Sequence, residues 1–299
     1  MDTSFIKGIV VPIVTVIDSK EKIDEKGLRR QVDFLIDNGV SGILAFGSNG
    51  EFYMLDDEEI ESALGIITDQ VSSRVPVYMG IGAIRTKKCI SLASLSKKYP
   101  VDGISILQPM FIKPTDAELF DHFEAIAKSV PDLPVLLYNN PGRTGYGMSQ
   151  DLVSRLAHSV DNIVGMKDSS GNLTETEEFI RRNRDVDFKV LSGKDTLIYA
   201  GLAVGAVGAV CSTANFLPRL VCSIYDKFEK GDLKGSLEAQ YKLNPIRLEM
   251  DKSSFPVATK DYANLMGNDV GLPFLPNKKS PEHEMENLKN QLKSAGYLK

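Results

Sequence analysis

Eight short apolar runs recur along the chain, and they constrain its fold more than any other feature. Most are continuous stretches of valine, isoleucine and leucine rather than alternations with polar residues, which is typical of strands covered on both faces. The runs occupy residues 8–12, 42–46, 76–80, 103–107, 134–138, 163–167, 189–192 and 206–211. We therefore predict eight buried β-strands.

The segments between these runs have the periodicity of amphipathic helices. Leu28, Val32, Leu35 and Ile36 fall on one helical face before Gly39, and residues 56–59 are all acidic, as suits a helix amino terminus. Strands and helices that alternate at a spacing of roughly thirty residues are typical of βαβ units in a parallel sheet. Eight such units predict an α/β fold, a closed (β/α)₈ or TIM barrel. An open doubly wound sheet is the competing fold, but no G-x-G-x-x-G follows the first run.

The chain continues beyond the eighth unit. Three further helical stretches, at about residues 237–249, 255–265 and 281–294, follow Asp232. We predict two regions: a barrel that carries the catalytic site at residues 1–231, and a small carboxyl-terminal helical extension at residues 232–299.

Charge and composition exclude several classes of partner. A formal net charge of -5, with acidic and basic residues interspersed, gives no electrostatic reason to expect nucleic acid or an anionic membrane. The amino terminus lacks the pattern of a secretory signal, and no run reaches the ~20 apolar residues of a membrane span, so we expect a cytoplasmic protein. The three cysteines match no zinc pattern and the three histidines are isolated, so no metal site is expected.

In a barrel of this kind, reactive groups project from the carboxyl ends of the strands. Lys167 ends the sixth run, where loss of water disfavours the ammonium and frees a lone pair for attack on a carbonyl. Tyr138 ends the fifth run, and a phenol beside a cationic lysine can move protons to and from a carbinolamine. A solvated lysine and a tyrosine that only packs are the alternatives for each residue taken alone.

Two loops contain groups that could bind a carboxylate. After the second run, Ser48 and Asn49 stand between Gly47 and Gly50, so consecutive backbone N–H groups could form an anion-binding nest, although an ordinary turn has the same composition. After the fifth run, Arg143 offers a planar fork for a second carboxylate, or lies on the surface of a Pro-Gly turn.

Three motifs in this order make the chain resemble a known family. A Gly-x-x-Gly-Glu loop follows the second run, Tyr-Asn-x-Pro-x-x-x-Gly follows the fifth, and Gly-Met-Lys-Asp-Ser spans residues 165–169. Together they resemble the dihydrodipicolinate synthase and N-acetylneuraminate lyase family, with further matches at residues 191–195 and 208–215. The resemblance implies a TIM barrel, no metal or organic cofactor, and a homo-oligomer, usually a tetramer, although a dimer stays open.

The resemblance also implies roles for particular residues. Lys167 corresponds to the lysine that forms a Schiff base with pyruvate or another 2-oxo acid, and Tyr138 to the general acid and base. Ser48 and Asn49 stand where the family holds the carboxylate of that acid, and the Ser48 hydroxyl also replaces a threonine of the proton relay. Arg143 corresponds to the residue that grips the carboxylate of aspartate semialdehyde in the synthase branch. Two further positions line the pocket through backbone groups: Gly193 and Val210.

Two departures from the synthase pattern leave the exact reaction open. Phe111 stands where synthases have a relay tyrosine, and Phe52, Tyr53 and Met54 replace the small residues of lysine-inhibited synthases, so feedback inhibition by lysine is not expected. We predict a cofactor-independent lyase that condenses pyruvate with an aldehyde, as dihydrodipicolinate synthase does. A 4-hydroxy-2-oxoglutarate or 2-oxo-3-deoxy sugar acid aldolase of the same family is the first alternative. A non-catalytic 2-oxo acid sensor is an alternative of another class.

Overall fold

The computed structural model describes residues 1–299, and its eight parallel strands close into a barrel in sequence order. The strands are β1 (Gly8–Pro12), β2 (Gly42–Ala45), β3 (Val77–Ile81), β4 (Gly103–Leu107), β5 (Val135–Asn139), β6 (Ile163–Asp168), β7 (Lys189–Ser192) and β8 (Gly208–Val210). β1 pairs with both β2 and β8, which completes the closure. The predicted (β/α)₈ barrel is confirmed, with each strand within two residues of its predicted bounds.

Helices connect the strands and extend the chain beyond the barrel. They are α1 (Glu25–Asp37), α2 (Asp57–Val71), α3 (Thr86–Ala93), α4 (Asp116–Lys128), α5 (Pro141–Thr144), α6 (Gln150–Ser159), α7 (Leu173–Arg182), α8 (Ile198–Ala203), α9 (Pro218–Glu229), α10 (Leu233–Met250), α11 (Val257–Leu265) and α12 (Glu282–Ser294). Short 3₁₀ helices lie at Ser48–Gly50, Phe52–Met54, Ser94–Lys97, Asp195–Leu197 and Ser212–Asn215. No helix is both long and apolar enough to cross a bilayer.

Apolar packing is divided between the two faces of the sheet. A large cluster fills the space between the strands and the surrounding helices, and a smaller one of eight residues includes Val10, Tyr78, Leu136, Val164 and Leu191. This smaller cluster fills the barrel interior, as is usual for the fold. The interior is therefore solid, and only the ends of the strands leave room for chemistry.

A bulge in β6 determines which way its last residues face. The register against β5 shifts between Val135 and Leu136, so that Val164 is an extra residue on β6. Val164 belongs to the interior cluster, and strict alternation would turn Lys167, three residues later, to the opposite face. The bulge restores Lys167 to the interior side. The bulge requires glycine at position 165, because a Cβ there would lie 2.4 Å from the carbonyl oxygen of Lys189.

The carboxyl-terminal helices α10, α11 and α12 follow the barrel. Asp232 caps α10 by accepting a hydrogen bond from the backbone of Gly235, and α10 packs against α9 and α12. The three predicted helices are thus present, and α11 contacts the 3₁₀ helix that follows β8. The division into two regions at residues 231 and 232 stays a prediction.

Candidate active site

Lys167 and Tyr138 meet at the carboxyl ends of two neighbouring strands. The two residues are paired in the register of β5 and β6, so their side chains project on the same side. The Lys167 Nζ lies 4.1 Å from the centroid of the Tyr138 ring, and both side chains are buried. An ammonium over an aromatic face is attracted to the ring, more strongly where water is absent. A buried amine and a phenol therefore share one small volume.

The Tyr138 hydroxyl is surrounded by groups that favour its phenolate form. Burial acts to raise the pKa of Tyr138, but the positive charge of Lys167 and hydrogen bonding from Ser48, Asn140 and Lys167 outweigh it and lower the pKa. The Asn140 side-chain amide donates to the phenol oxygen at 2.7 Å. A tyrosine whose pKa lies below its ordinary value is better suited to exchange protons near neutral pH.

The loop after β2 lies against this pair. Ser48 begins a buried 3₁₀ helix and reaches the Tyr138 hydroxyl. The Asn49 side chain connects two later segments, because its Nδ2 donates to the Ser212 hydroxyl at 2.8 Å and its Oδ1 accepts from Thr259 at 2.8 Å. Both polar atoms of the Asn49 side chain therefore have protein partners. A substrate carboxylate at this loop would depend largely on backbone N–H groups.

A buried ion pair anchors the same loop to the carboxyl-terminal region. Glu51 adopts a left-handed conformation with φ of 52°, and its carboxylate lies 2.7 Å from the Lys260 ammonium, both side chains being fully buried. Glu51 also accepts from the backbone N–H of Phe274, and Lys260 donates to the carbonyl of Leu272. α11 and the segment after it thereby hold the loop that contains Ser48.

The amine and phenol border a cavity of about 100 Å³. Of the residues predicted from sequence, six line it: Asn49, Tyr138, Arg143, Lys167, Gly193 and Val210. Ser48 does not line it and contacts Tyr138 instead. Gly193 is required for close packing, since a Cβ there would lie 2.0 Å from the Ser169 hydroxyl and 2.8 Å from the Asp168 carbonyl. The structure therefore brings all seven predicted residues to the same end of the barrel.

Other lining residues were missed by the sequence reasoning. Asn140, Ser169, Lys194, Asp195, Ser212, Arg247, Asp251 and Phe255 complete the wall. Asp195 is buried and accepts from the backbone and hydroxyl of Thr213 at 2.7 and 2.6 Å, which fixes the turn that presents Ser212. Asn140, Ser169, Lys194, Asp195 and Ser212 lay within quoted motifs, so their presence had a signal. Nothing in the sequence indicated Arg247, which comes from α10.

Arg143 lies at the wall of the cavity, whereas Phe111 lies outside it. Arg143 is exposed, and its guanidinium stacks 4.3 Å from the centroid of the Phe255 ring at the cavity wall. Phe111, which the resemblance implies stands where synthases have a relay tyrosine, is 88% exposed with φ of 80° and does not line the cavity. Within this chain, the groups that hydrogen-bond to the Tyr138 hydroxyl are thus Ser48, Asn140 and Lys167.

Comparison with known proteins finds relatives along nearly the whole chain. The sequence model described as the Dihydrodipicolinate synthetase family matches residues 5–295. A 4-hydroxy-tetrahydrodipicolinate synthase of Methanopyrus kandleri is 34% identical over 98% of this chain and 97% of its own length. The corresponding enzyme of Methanoculleus marisnigri is 35% identical over 97% of this chain and 99% of its own length.

Solved structures extend the likeness to the fold. Dihydrodipicolinate synthase DapA-2 of Bacillus anthracis superposes with a TM-score of 0.92 at 32% identity, covering 96% of this chain and 98% of that one. YagE of E. coli K12, solved in complex with pyruvate, has a TM-score of 0.93 at 30% identity, covering 97% and 98%. A variant described as monomeric has a TM-score of 0.94 at 27% identity, covering 98% of each chain. The chain therefore belongs to the dihydrodipicolinate synthetase family.

Proposed function

We propose that this protein condenses pyruvate with an aldehyde through a covalent imine on Lys167, as a dihydrodipicolinate synthase does with aspartate semialdehyde. The observation that carries the proposal is the 4.1 Å approach of the Lys167 Nζ to the Tyr138 ring in a buried cavity at the strand ends. Family membership supports the reaction class, since the curated relatives are named as synthases.

The chemistry follows from these two groups. Lys167 first gives up its ammonium proton, and the neutral amine attacks the keto carbon of pyruvate and forms a carbinolamine. Tyr138 then delivers the proton with which water leaves. The resulting iminium withdraws electrons, so a methyl proton of pyruvate is lost and an enamine forms. The enamine carbon then adds to the aldehyde carbon, whose oxygen takes up a proton, and the iminium re-forms. Attack of water, or of the product's own amino group, on this iminium breaks the bond to Lys167, which releases the product and restores the free amine. The iminium itself is the electron sink, so no step requires a metal or an organic cofactor.

Other residues orient the two substrates in this proposal. The backbone N–H groups of Ser48 and Asn49 hold the pyruvate carboxylate, and the Ser48 hydroxyl relays protons with Tyr138. Arg143 faces the cavity from its wall and binds a carboxylate of the second substrate. Gly193 and Val210 complete the pocket with backbone groups.

Trapping the imine tests the proposal directly. Borohydride reduction in the presence of pyruvate should add one reduced pyruvate to the peptide that contains Lys167, as read by mass spectrometry. Lys167→Ala should abolish the adduct. Lys194→Ala is the matched control, because Lys194 lines the same cavity and its removal should leave the adduct on Lys167. An adduct that persists in Lys167→Ala would contradict the assignment.

Turnover identifies the aldehyde and separates the remaining alternatives. We expect condensation of pyruvate with aspartate semialdehyde, whereas cleavage of 4-hydroxy-2-oxoglutarate or 2-oxo-3-deoxygluconate alone would favour the aldolase alternative. An imine without turnover of any of the three would favour a 2-oxo acid sensor. A homotetramer or dimer is a further prediction, to be measured by native mass spectrometry, because the monomeric family member shows that the fold does not require assembly.

A further inference from the structure

Arg247 lies at the junction of two cavities. It lines the cavity that contains Lys167, and it also lines a second cavity of about 310 Å³. The two cavities share Arg143, Ser212, Asp251 and Phe255 as further lining residues. The larger space therefore adjoins the catalytic pocket and lies toward α10 and the segment before α11.

The Arg247 guanidinium has hydrogen-bonding capacity to spare. Its side chain is 12% exposed, and of the five N–H donors of an arginine only one is paired, with Asp251 at 2.7 Å. Asp195 lies close enough to act on its charge but gives its oxygens to Thr213 and the backbone of Ser212. A nearly buried arginine with free donors at a cavity wall is a binding group without a partner in the protein.

Neighbouring groups complete an anion-binding wall. The Ser212 hydroxyl accepts from Asn49, which leaves its own proton free to donate. Arg143, stacked on Phe255, faces the same space. Two arginines stand beside the exposed carboxylate of Asp251, and the buried Asp195 also acts on the charge of Arg247. The remaining positive charge is small, which suits a singly charged carboxylate better than a phosphate.

We propose that Arg247 is a specificity-determining residue that binds a carboxylate at the far end of the second substrate, together with Arg143. This inference rests on the proposed condensation of pyruvate at Lys167. Arg247 selects aldehydes that carry a terminal carboxylate. The larger cavity then holds the carboxylate end of the adduct.

A matched pair of ligands tests the inference without turnover. Pyruvate and a four-carbon aldehyde acid would give a seven-carbon adduct with carboxylates at both ends, so 2-oxoheptanedioate imitates its skeleton. 2-Oxoheptanoate lacks only the far carboxylate. The wild-type protein should bind the dioate roughly 10- to 100-fold more tightly by calorimetry, the range expected for a hydrogen bond to a charged group.

Four single variants and one double variant test which residues cause the preference for the dioate. Arg247→Ala should lose most of it, and Arg247→Lys should recover part, because the charge returns without the planar fork. Arg181→Ala, an exposed arginine paired with Glu178 on α7, should keep the full preference. If Arg143 and Arg247 bind the same carboxylate, Arg143→Ala combined with Arg247→Ala should lose less than the sum of the two single losses.

The outcomes separate this inference from the proposed function. Borohydride trapping with pyruvate should still label Lys167 in Arg247→Ala, because Arg247 is proposed to bind the second substrate rather than pyruvate. Two results would overturn the inference about Arg247 while trapping still succeeds: Arg247→Ala keeps the preference for the dioate, or the wild type shows no preference. Either result would leave the proposed function in place. If the wild type forms no adduct with pyruvate, the proposed function fails and the inference falls with it.

Discussion

Breaking the buried ion pair between Glu51 and Lys260 should destabilise the protein and loosen the substrate loop. Both side chains are 0% exposed and their charged atoms lie 2.7 Å apart. Lys260→Met removes the ammonium but keeps most of the volume, which leaves the Glu51 carboxylate buried without a counter-charge. Removing one partner of a buried pair typically costs about 3–5 kcal/mol in the free energy of unfolding. That is a large share of the roughly 5–15 kcal/mol of a typical domain.

The unpaired charge of Glu51, rather than lost packing around residue 260, should cause this loss of stability. A Glu51→Gln, Lys260→Met double variant leaves no unpaired charge, so it should recover most of the loss. Lys98→Met is the matched control: Lys98 forms an ion pair of 2.9 Å with Glu61, and the two side chains are 62% and 37% exposed. An exposed pair contributes about 0–1 kcal/mol, so this variant should be close to the wild type.

Urea unfolding followed by far-UV circular dichroism measures these differences, since the chain contains no tryptophan to report by fluorescence. A parallel measurement of KM for pyruvate should show a rise in Lys260→Met, because Glu51 directly follows the 3₁₀ helix that begins with Ser48. A loss below about 1 kcal/mol in Lys260→Met, or a double variant as unstable as the single one, would refute the reasoning.

Three further predictions concern catalysis, pH and packing. Tyr138→Phe should lower kcat by roughly 10²- to 10⁴-fold and change the basic limb of the pH–rate profile, while imine trapping persists; an unchanged profile would contradict the proton role. Burial lowers the pKa of His122 from 6.5 to about 4 in the folded protein. Between pH 6.5 and pH 4 the unfolded chain therefore binds more protons than the folded one, so the free energy of unfolding falls as pH falls. Urea titrations should show about 2 kcal/mol more loss from pH 7 to pH 5 in the wild type than in His122→Gln, and equal losses would exclude this group. Gly165→Ala should cost about 1–3 kcal/mol and slow imine trapping, whereas Gly147→Ala, where a Cβ would lie 3.7 Å from its nearest neighbour, should do neither.

The strands could be predicted from the sequence because burial on both faces leaves continuous apolar runs. The errors have identifiable causes. The third and fifth strands were predicted to begin at Pro76 and Pro134, but they begin one residue later, since proline has no N–H to donate to a neighbouring strand. The eighth was predicted to span residues 206–211 and is shorter, Gly208–Val210.

Residues of the site could be predicted where they stand at strand ends. Lys167 and Tyr138 end neighbouring runs, and neighbouring parallel strands bring their carboxyl ends to one edge of the barrel. Arg247, Thr259 and Lys260 could not be predicted in this way, because they come from helices after the barrel. The hydrogen bond from Thr259 to Asn49 joins residues 210 positions apart, and no local pattern reports such a contact.

The direction of Lys167 is the part of the site that strand periodicity alone would have predicted wrongly. Val164 lies inside the barrel, so alternation from it turns Lys167 outward into the layer of helices, where an ammonium would be unpaired among apolar side chains. The bulge between Val135 and Leu136 reverses this, and Gly165 is the residue whose missing Cβ lets β6 approach Lys189. The imine chemistry therefore depends on a backbone irregularity two residues before the lysine as much as on the lysine itself.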